Sequence, residues 1–475
     1  MAGVLPTTRA RHAMLAETVS GGSGGMADWD MVVVGAGAAG MVGALRAAAG
    51  GARVALLERD AAAPSNLALS GGLFSAAGSR WQHEAGVEDG PDRFAADITD
   101  KTGGAVPQPL LRTVTQGARD AAHFLADSAG LPIHLSQTAR FPGHSAPRLH
   151  ATPAESGAEL AALLRAAVRR APRIGWLEGC DAVALRSGAC GVTGVEVSDG
   201  GAARRVLPAA WVLLAGGGFG GNAARKARHL PGASGALHVG AASNDGRGMD
   251  WLDQLGAALR CMDSYQGQPH VCRDGDGTHR LGAALPALGA VMVNQQGLRF
   301  AAEDMGPSEL TAHVLAQPGG AVEIWDAAAQ DTALRQGPFR AATEAGLVWG
   351  GGGLATLAAR FGLPPDALAD TLRDAAACAR GEQTDQHGRT HWGAPLQAPF
   401  FAAAITGGLA HTQGGAVVDA GARVLRADGS AIPGLLAAGG AACGVSGTGA
   451  AGYVPGNGLA QAFALGLAAG ATAAG

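Results

Sequence analysis

Asp30-Met-Val-Val-Val-Gly-Ala-Gly-Ala-Ala-Gly40 runs on through an Ala-rich segment to Arg53-Val-Ala-Leu-Leu-Glu58. Val32, Val33 and Val34 read as a short buried strand. Gly35, Gly37 and Gly40 then make a G-x-G-x-x-G turn into a helix. Gly35 permits the tight turn, Gly37 lets a pyrophosphate approach the backbone, and Gly40 lets the helix pack close to the strand. Ala36 and Ala39 lie within the same turn, and the helix start aims free N–H groups at an anion. A second strand, Arg53–Leu57, ends in Glu58, placed to accept hydrogen bonds from a ribose diol. In a chain with 77 glycines a lone glycine triplet says little. The complete strand–turn–helix–strand–acid unit points to a dinucleotide site.

The rest of the chain has to build around that unit. Its 475 residues are too many for one ordinary core, so two domains are expected. Hydrophobic residues make up 47% and charged residues 16%, the balance of a globular enzyme. The net charge is −4 and no basic run is present, which argues against a nucleic-acid partner. Lys101 and Lys226 are the only lysines; with so much Ala and Gly this reads as compositional bias. The six cysteines stand singly, at 180, 190, 261, 272, 378 and 443. None makes a C-x-x-C, so no metal site or attached haem is expected, and the thiols fit a reduced, cytoplasmic protein. Residues 1–26 lack the apolar core of a signal peptide and read as a disordered leader, with Met26 as a possible natural start. The apolar run Gly458–Gly470 is short and broken by glycine, so a buried helix is expected and not a membrane span.

Along the chain, Asn66-Leu-Ala-Leu-Ser70 followed by Gly71 and Gly72 reads as a small-residue loop. Residues 108–131 read as a helix pair and Thr152–Ala171 as an amphipathic helix. Val183–Leu185 and Val192–Val197 read as strands flanking a turn. Trp211–Ala215 is another buried strand, and its Gly216-Gly217-Gly218 ending implies that the same nucleotide is covered from a second side. From about 264 to 410 the strand–helix alternation fades, and Gly350–Gly353 reads as a flexible run. Alternation resumes with a strand at Gly415–Asp419, a turn at Ala427-Asp-Gly429 and a strand at Leu435–Ala438. Gly439-Gly440 follows, and Gly456-Asn-Gly458 opens the last helix. An inserted second domain, with the first completed by the C-terminal segment, accounts for this order.

Several motifs carry a resemblance. They are Val34-Gly-Ala-Gly-Ala-Ala-Gly40, Asn66-x-x-x-Ser-Gly-Gly72, Ala215-Gly-Gly217, Asn244-Asp-Gly246, Val293-Asn-Gln-Gln-Gly-Leu-Arg-Phe300, His411-Thr-Gln-Gly-Gly415, Ile432-Pro-Gly-Leu-Leu-Ala-Ala-Gly439 and Gly456-Asn-Gly-Leu459. The chain resembles the FAD-dependent fumarate reductase/succinate dehydrogenase flavoproteins, a family that includes flavocytochrome c and 3-ketosteroid dehydrogenases. The resemblance implies an α/β fold: an FAD/NAD(P)-binding Rossmann-like domain of the glutathione-reductase type with an inserted α+β cap. The FAD domain would span 27–263 and 411–475 and the cap 264–410, with substrate held between cap and flavin. FAD contacts would come from Gly35, Ala36, Gly37, Ala39, Gly40, Glu58, Arg59, Asn66, Ser70, Gly71, Gly72, Ala182, Ala215, Gly216, Gly217, Asp245, Gly439, Gly440, Asn457, Gly458 and Leu459. The last helix would aim its N-terminus at the flavin, stabilising the anionic reduced form. Membrane-complex relatives tether FAD to a histidine just before the Gly-Gly pair; Asn66, Leu67 and Ala68 fill that stretch here, so non-covalent FAD is expected.

The departures narrow the chemistry. Fumarate reductases carry a proton-donating arginine downstream of the Asn-x-x-Gly-x-Arg-Phe segment, where this chain has Glu303-Asp-Met-Gly-Pro-Ser-Glu309. Their carboxylate-binding arginine near the last glycine pair is Tyr453 here, and their early cap histidine is Gln268. The Tyr453-Val-Pro-Gly-Asn-Gly458 stretch is more similar to ketosteroid dehydrogenases, in which a tyrosine hydroxyl and a backbone N–H polarise a ketone. The resemblance therefore implies hydride transfer between flavin N5 and a carbon beta to a carbonyl, with an enone or ketone favoured over a dicarboxylate. A small-molecule substrate (enone, ketone or carboxylate) and an external electron donor or acceptor would be the partners. Tyr453 and His411 are the leading catalytic candidates, with packing under the last helix and a hinge position as their ordinary roles. Tyr265, Gln268 and His270 are alternatives at the start of the cap. Rival readings are a dicarboxylate reductase and a non-catalytic flavin-binding partner or sensor; an NAD(P) dehydrogenase fits the 66–72 segment and the C-terminal return less well.

Overall fold

The computed structural model describes residues 29–137, 141–201, 203–275, 277–282 and 285–475; the leader expected at 1–26 lies outside them. Trp29–Val34 forms the first strand and pairs in parallel with Val54–Glu58 on one side and Arg204–Leu214 on the other. Ile174–Glu178 and Ala431–Ala437 extend the parallel sheet at its two ends. Arg423–Leu425 and the hairpin Asp181–Gly188/Gly191–Ser198 complete an eight-stranded sheet among the described residues. Val32, Val33 and Val54–Leu57 are buried on both sheet faces, as a parallel strand covered by helices requires.

Ala38–Ala49 follows the glycine turn, and the last helix, Asn457–Ala474, lies along it. Small residues set that contact: a Cβ on Gly466 would stand 2.6 Å from the Ala39 carbonyl oxygen, and one on Gly470 2.4 Å from that of Gly43. Some of the chain's glycine therefore serves close helix packing beyond any compositional bias. The run Gly458–Gly470 is a buried helix segment, and among the described residues no helix is long and apolar enough to cross a membrane.

A second, seven-stranded sheet among the described residues is built around the 13-residue strand Phe400–Thr412. Tyr265–Asp274 and Ala321–Asp326 flank that strand antiparallel, and Leu237–His238 and Trp349–Gly352 pair with it as well. Gly277–Arg280 folds back on Tyr265–Asp274 with Arg280 opposite Val271. The long central strand carries His411 at its C-terminal end, beside Gln266.

Three local expectations are corrected. Residues 108–127 form one helix, Gln108–Asp127, and not a pair. Gly117 marks no break there; a Cβ on it would touch Ala464 of the last helix at 3.0 Å, so it is a helix-contact position. The Gly350–Gly353 run is mostly the strand Trp349–Gly352, where the Phe401 ring lies over Gly350 and takes the space of a side chain. Asn66–Leu69 is a short helix, capped by Ser65 through its bond to the Ala68 N–H.

Candidate active site

A cleft of about 460 Å³ runs from the glycine turn to the inner end of the second sheet. Of the expected cofactor residues, Gly35, Gly37, Ala39, Glu58, Arg59, Asn66, Ser70, Gly71, Ala182, Ala215, Gly216, Gly217, Asp245, Gly439, Gly440, Gly458 and Leu459 line it. Ala36, Gly40, Gly72 and Asn457 lie behind the wall. Gly40 is there for packing, since a Cβ would stand 1.9 Å from the Gly35 carbonyl oxygen. Gly72, at φ +72°, presses against the Ser156–Gly157 backbone. Ala36 donates its N–H to Glu58 Oε2 at 3.1 Å, and so positions the acid at the cleft wall.

The pieces suit a dinucleotide. Gly37 has ordinary extended backbone, and a Cβ there would meet nothing within 4 Å, because it would point into the cleft. Asn244 lines the cleft with a buried Nδ2 that has no partner among the described residues. Glu58 accepts from Ala36 and Asp60 and keeps further lone pairs for a diol. Two helix N-termini, at Gly37–Ala39 and at Gly456–Leu459, face the same space. Arg59 bonds Asp245 at 2.9 Å, and Arg247 bonds Asp181 at 2.8 Å, so these cleft cations are paired. Burial opposes the charge on Asp245, but the Arg247 N–H and the Arg59 guanidinium outweigh it and hold its carboxyl below the usual carboxylate range. Asn66 Oδ1 accepts the Ala241 N–H at 2.7 Å, which closes the wall beside the Ser70 turn.

At the other end, His411 and Tyr453 both line the cleft, their rings 6.0 Å apart and near perpendicular. The Tyr453 hydroxyl lies near the Gly456 N–H, at the start of the last helix. Burial pushes the phenol well above its ordinary pKa against the opposing Gly456 N–H, so it stays protonated at neutral pH. His411 is half-buried, and this desolvation lowers its pKa against the smaller opposing pull of the Thr412 carbonyl. Its Nδ1 stands 3.2 Å from Gln413 Nε2 and 3.4 Å from the Thr412 oxygen. Nδ1 thus faces one donor and one acceptor, and the tautomer in which it accepts from Gln413 carries its proton on Nε2. The ring packs on the last helix, since a Cβ on Gly458 would reach His411 Nε2 at 3.1 Å.

The alternatives at the start of the second sheet separate by strand alternation. Gln266 and Gln268 line the cleft. Tyr265, one position out of phase, turns into the core and does not line the cleft. His270 is buried further along the strand, bonded to Glu323 at 2.9 Å. Gln266 was missed, although the alternation with Gln268 was there to be read. Asn244 belongs to the same Asn244-Asp-Gly246 motif as Asp245 and lines the cleft with it. Arg280 had no sequence signal: the hairpin register alone brings it to the cleft, where its Nη2 donates to the Leu69 carbonyl at 2.8 Å. Arg280 pairs with no carboxylate among the described residues, and burial lowers its pKa.

No side chain from Ser65 to Gly72 is able to tether a flavin. Acid precipitation of the purified protein should therefore release all of its FAD to the supernatant. Yellow colour kept in the pellet would refute non-covalent binding.

The comparisons agree with this architecture. NADH:fumarate oxidoreductase of Klebsiella pneumoniae is 29% identical over 97% of this chain, which spans 49% of that protein's length. Fumarate reductase (cytochrome) of Shewanella frigidimarina is 27% identical over 94% of this chain and 77% of its own length. A 4-oxocyclohexanecarboxylate 2-dehydrogenase of Sinomonas cyclohexanicum is 26% identical, over 94% of this chain and 93% of its own length. Among solved structures, the open conformation of a flavocytochrome c3 fumarate reductase superposes with a TM-score of 0.81 at 27% identity, covering 98% of this chain and 80% of that one. A 3-ketosteroid delta1-dehydrogenase from Sterolibacterium denitrificans shares the fold, with a TM-score of 0.79 at 20% identity over 94% of this chain and 99% of that one. Residues 30–459 match the family described as FAD binding domain, so the chain belongs to that family and FAD is its cofactor.

Proposed function

We propose that this chain is an FAD-dependent oxidoreductase acting on a carbon–carbon bond next to a ketone, in a substrate that also carries a carboxylate. The observation that carries the reading is the His411–Tyr453 pair on the cleft, beside the start of the last helix. The chemistry FAD supplies when bound is hydride transfer at flavin N5. The protein's own part is to hold the carbonyl. Tyr453 donates to the carbonyl oxygen, and the start of the last helix beside it favours the negative charge that develops there. Neutral His411 offers its Nε2–H from the end of the long strand. Among the residues proposed from sequence, these two both face the cleft and carry a proton on a titratable group. Residues 264–410 serve as the cap in this reading, and its free cysteines support a reducing compartment such as the cytoplasm.

Arg280 supports the carboxylate. Arg299, a candidate replacement for the absent arginines, is locked to Glu303 and Asp385, and Arg340 bonds the Leu334 carbonyl; neither lines the cleft. Arg280 does, and it is not neutralised by a carboxylate. One such cation suits one carboxylate, and fumarate has two. The relative named for 4-oxocyclohexanecarboxylate acts on a ketone that bears one carboxylate.

The test offers the reduced holoenzyme a cyclic enone, its carboxylate-bearing counterpart and fumarate. Turnover should be highest with the enone carboxylate and negligible with fumarate. Arg280→Gln should raise KM for the carboxylate-bearing compound about ten- to a hundredfold, since a charged hydrogen bond is worth about 1.5–3 kcal/mol. The plain enone should be unaffected. Fast fumarate turnover would restore the dicarboxylate reading, and a flavin that no organic substrate oxidises or reduces would favour the sensor reading. Equal losses on both enones would make Arg280 a structural latch to the Leu69 carbonyl.

A further inference from the structure

We propose that Cys261 and Cys443 form a redox-active dithiol, which a peroxide converts to a disulfide between the segment before Tyr265–Asp274 and the segment after Gly439–Ala441. Their sulfurs lie 3.2 Å apart although 182 residues separate them in sequence, and both thiols are free. A disulfide needs a sulfur–sulfur distance of about 2.05 Å, which is within reach of small side-chain rotations.

The surrounding backbone holds the pair in place. Leu259–Arg260 pairs with Gly415–Ala416, and the Cys443 N–H donates to the Ala416 carbonyl at 2.8 Å. The Gly444 N–H donates to the Gln413 carbonyl at 2.7 Å, so segments 259–264, 413–416 and 442–444 form one hydrogen-bonded layer. Cys261 adopts φ +56°, a left-handed conformation rare for a side chain of this kind. The Ser264 N–H fixes that turn by donating to the Cys261 carbonyl at 2.9 Å. Close packing at Gly414, where a Cβ would stand 2.7 Å from the Cys261 carbonyl oxygen, holds the same turn.

Exposure divides the roles. Cys261 is half-buried and open to a small oxidant, whereas Cys443 is buried. The Cys443 thiol lies within hydrogen-bond distance of the Cys261 sulfur and, with Arg260, lowers that thiol's pKa against burial and Asp263. In the first step the Cys261 thiolate attacks a peroxide oxygen: the O–O bond breaks, one water leaves after protonation, and a sulfenic acid remains. The Cys443 thiol then attacks that sulfur, forming the S–S bond and expelling the second water. Two thiols and one hydrogen peroxide thus become one disulfide and two waters, and an added dithiol reverses the change. Neither cysteine lines the cleft, so the inference does not depend on the substrate reading. The bond would tie the segment leading into Tyr265–Asp274 to the segment that follows the Gly439-Gly440 contact.

The experiment treats the FAD-loaded protein with equimolar hydrogen peroxide, then alkylates it under denaturing, non-reducing conditions. Titratable thiols should fall by two per chain. Peptide mapping should find the Cys261 and Cys443 peptides joined, lighter than their sum by two hydrogens, and separable by dithiothreitol. Cys443→Ser should stop the reaction at the first step, so that dimedone labels Cys261. Joined peptides involving another cysteine, or both residues recovered fully alkylated, would overturn the proposal, as would a Cys443→Ser protein in which dimedone leaves Cys261 unlabelled.

Discussion

Tyr453→Phe should keep its FAD and its fold but lose about 10²–10³ in turnover, the usual cost of deleting one oxyanion-type donor. Only the hydroxyl is removed. The ring remains in its edge contact with His411, 6.0 Å between centroids. Tyr453 lines the cleft, so losing its hydroxyl should not unfold the chain. Single-turnover oxidation or reduction of the bound flavin by substrate is the direct measurement. His411→Ala should mainly raise KM, because a neutral imidazole at the end of the long strand orients the substrate. If Tyr453→Phe reacts as fast as the wild type, the carbonyl is held elsewhere and Tyr453 is a packing residue. The search would then move to Gln266 and Gln268, which share the same cleft wall.

Gly37→Val should yield a folded, colourless protein. The backbone at Gly37 is extended, at φ −80° and ψ −169°, where any residue is at ease. Among the described residues, its chain neighbours aside, nothing lies within 4 Å of the added Cβ, so the apo fold has no reason to suffer. The side chain enters the space the pyrophosphate needs. An overpacking penalty of about 3 kcal/mol corresponds to roughly a hundredfold in Kd. Flavin absorbance per protein after gel filtration, with circular dichroism as the fold control, tests this. Normal FAD occupancy would show that the phosphates lie elsewhere. The neighbouring glycines give no such clean result. At Gly35, φ +101° and a Cβ 2.7 Å from the Ala215 carbonyl oxygen would strain the protein itself, and at Gly40 the clash with Gly35 is closer still.

What the sequence determined by itself was what neighbouring residues decide. The strand, the glycine turn, the helix and Glu58 lie within 30–58, so their spacing alone specifies the unit and its ligand class. The last helix was legible for the same reason: Gly456 precedes its start at Asn457, and the run that follows is mostly Ala, Leu and Gly. Tyr453 and His411 came from motifs, and tertiary structure then brought the two rings together. Tertiary structure also decided whatever depends on partners distant in the chain. Residues 108–131 read as a helix pair, yet Gly117 continues one helix and makes room for Ala464, far along the chain. Gly350 looked flexible for want of Phe401. Strand phase sent Tyr265 into the core and Gln266 into the cleft, and hairpin register delivered Arg280 beside the Leu69 carbonyl. Local propensity carries no information about which surfaces meet across a fold, and those meetings set the polarity of the cleft, its one unneutralised arginine among the described residues, and the approach of Cys261 to Cys443.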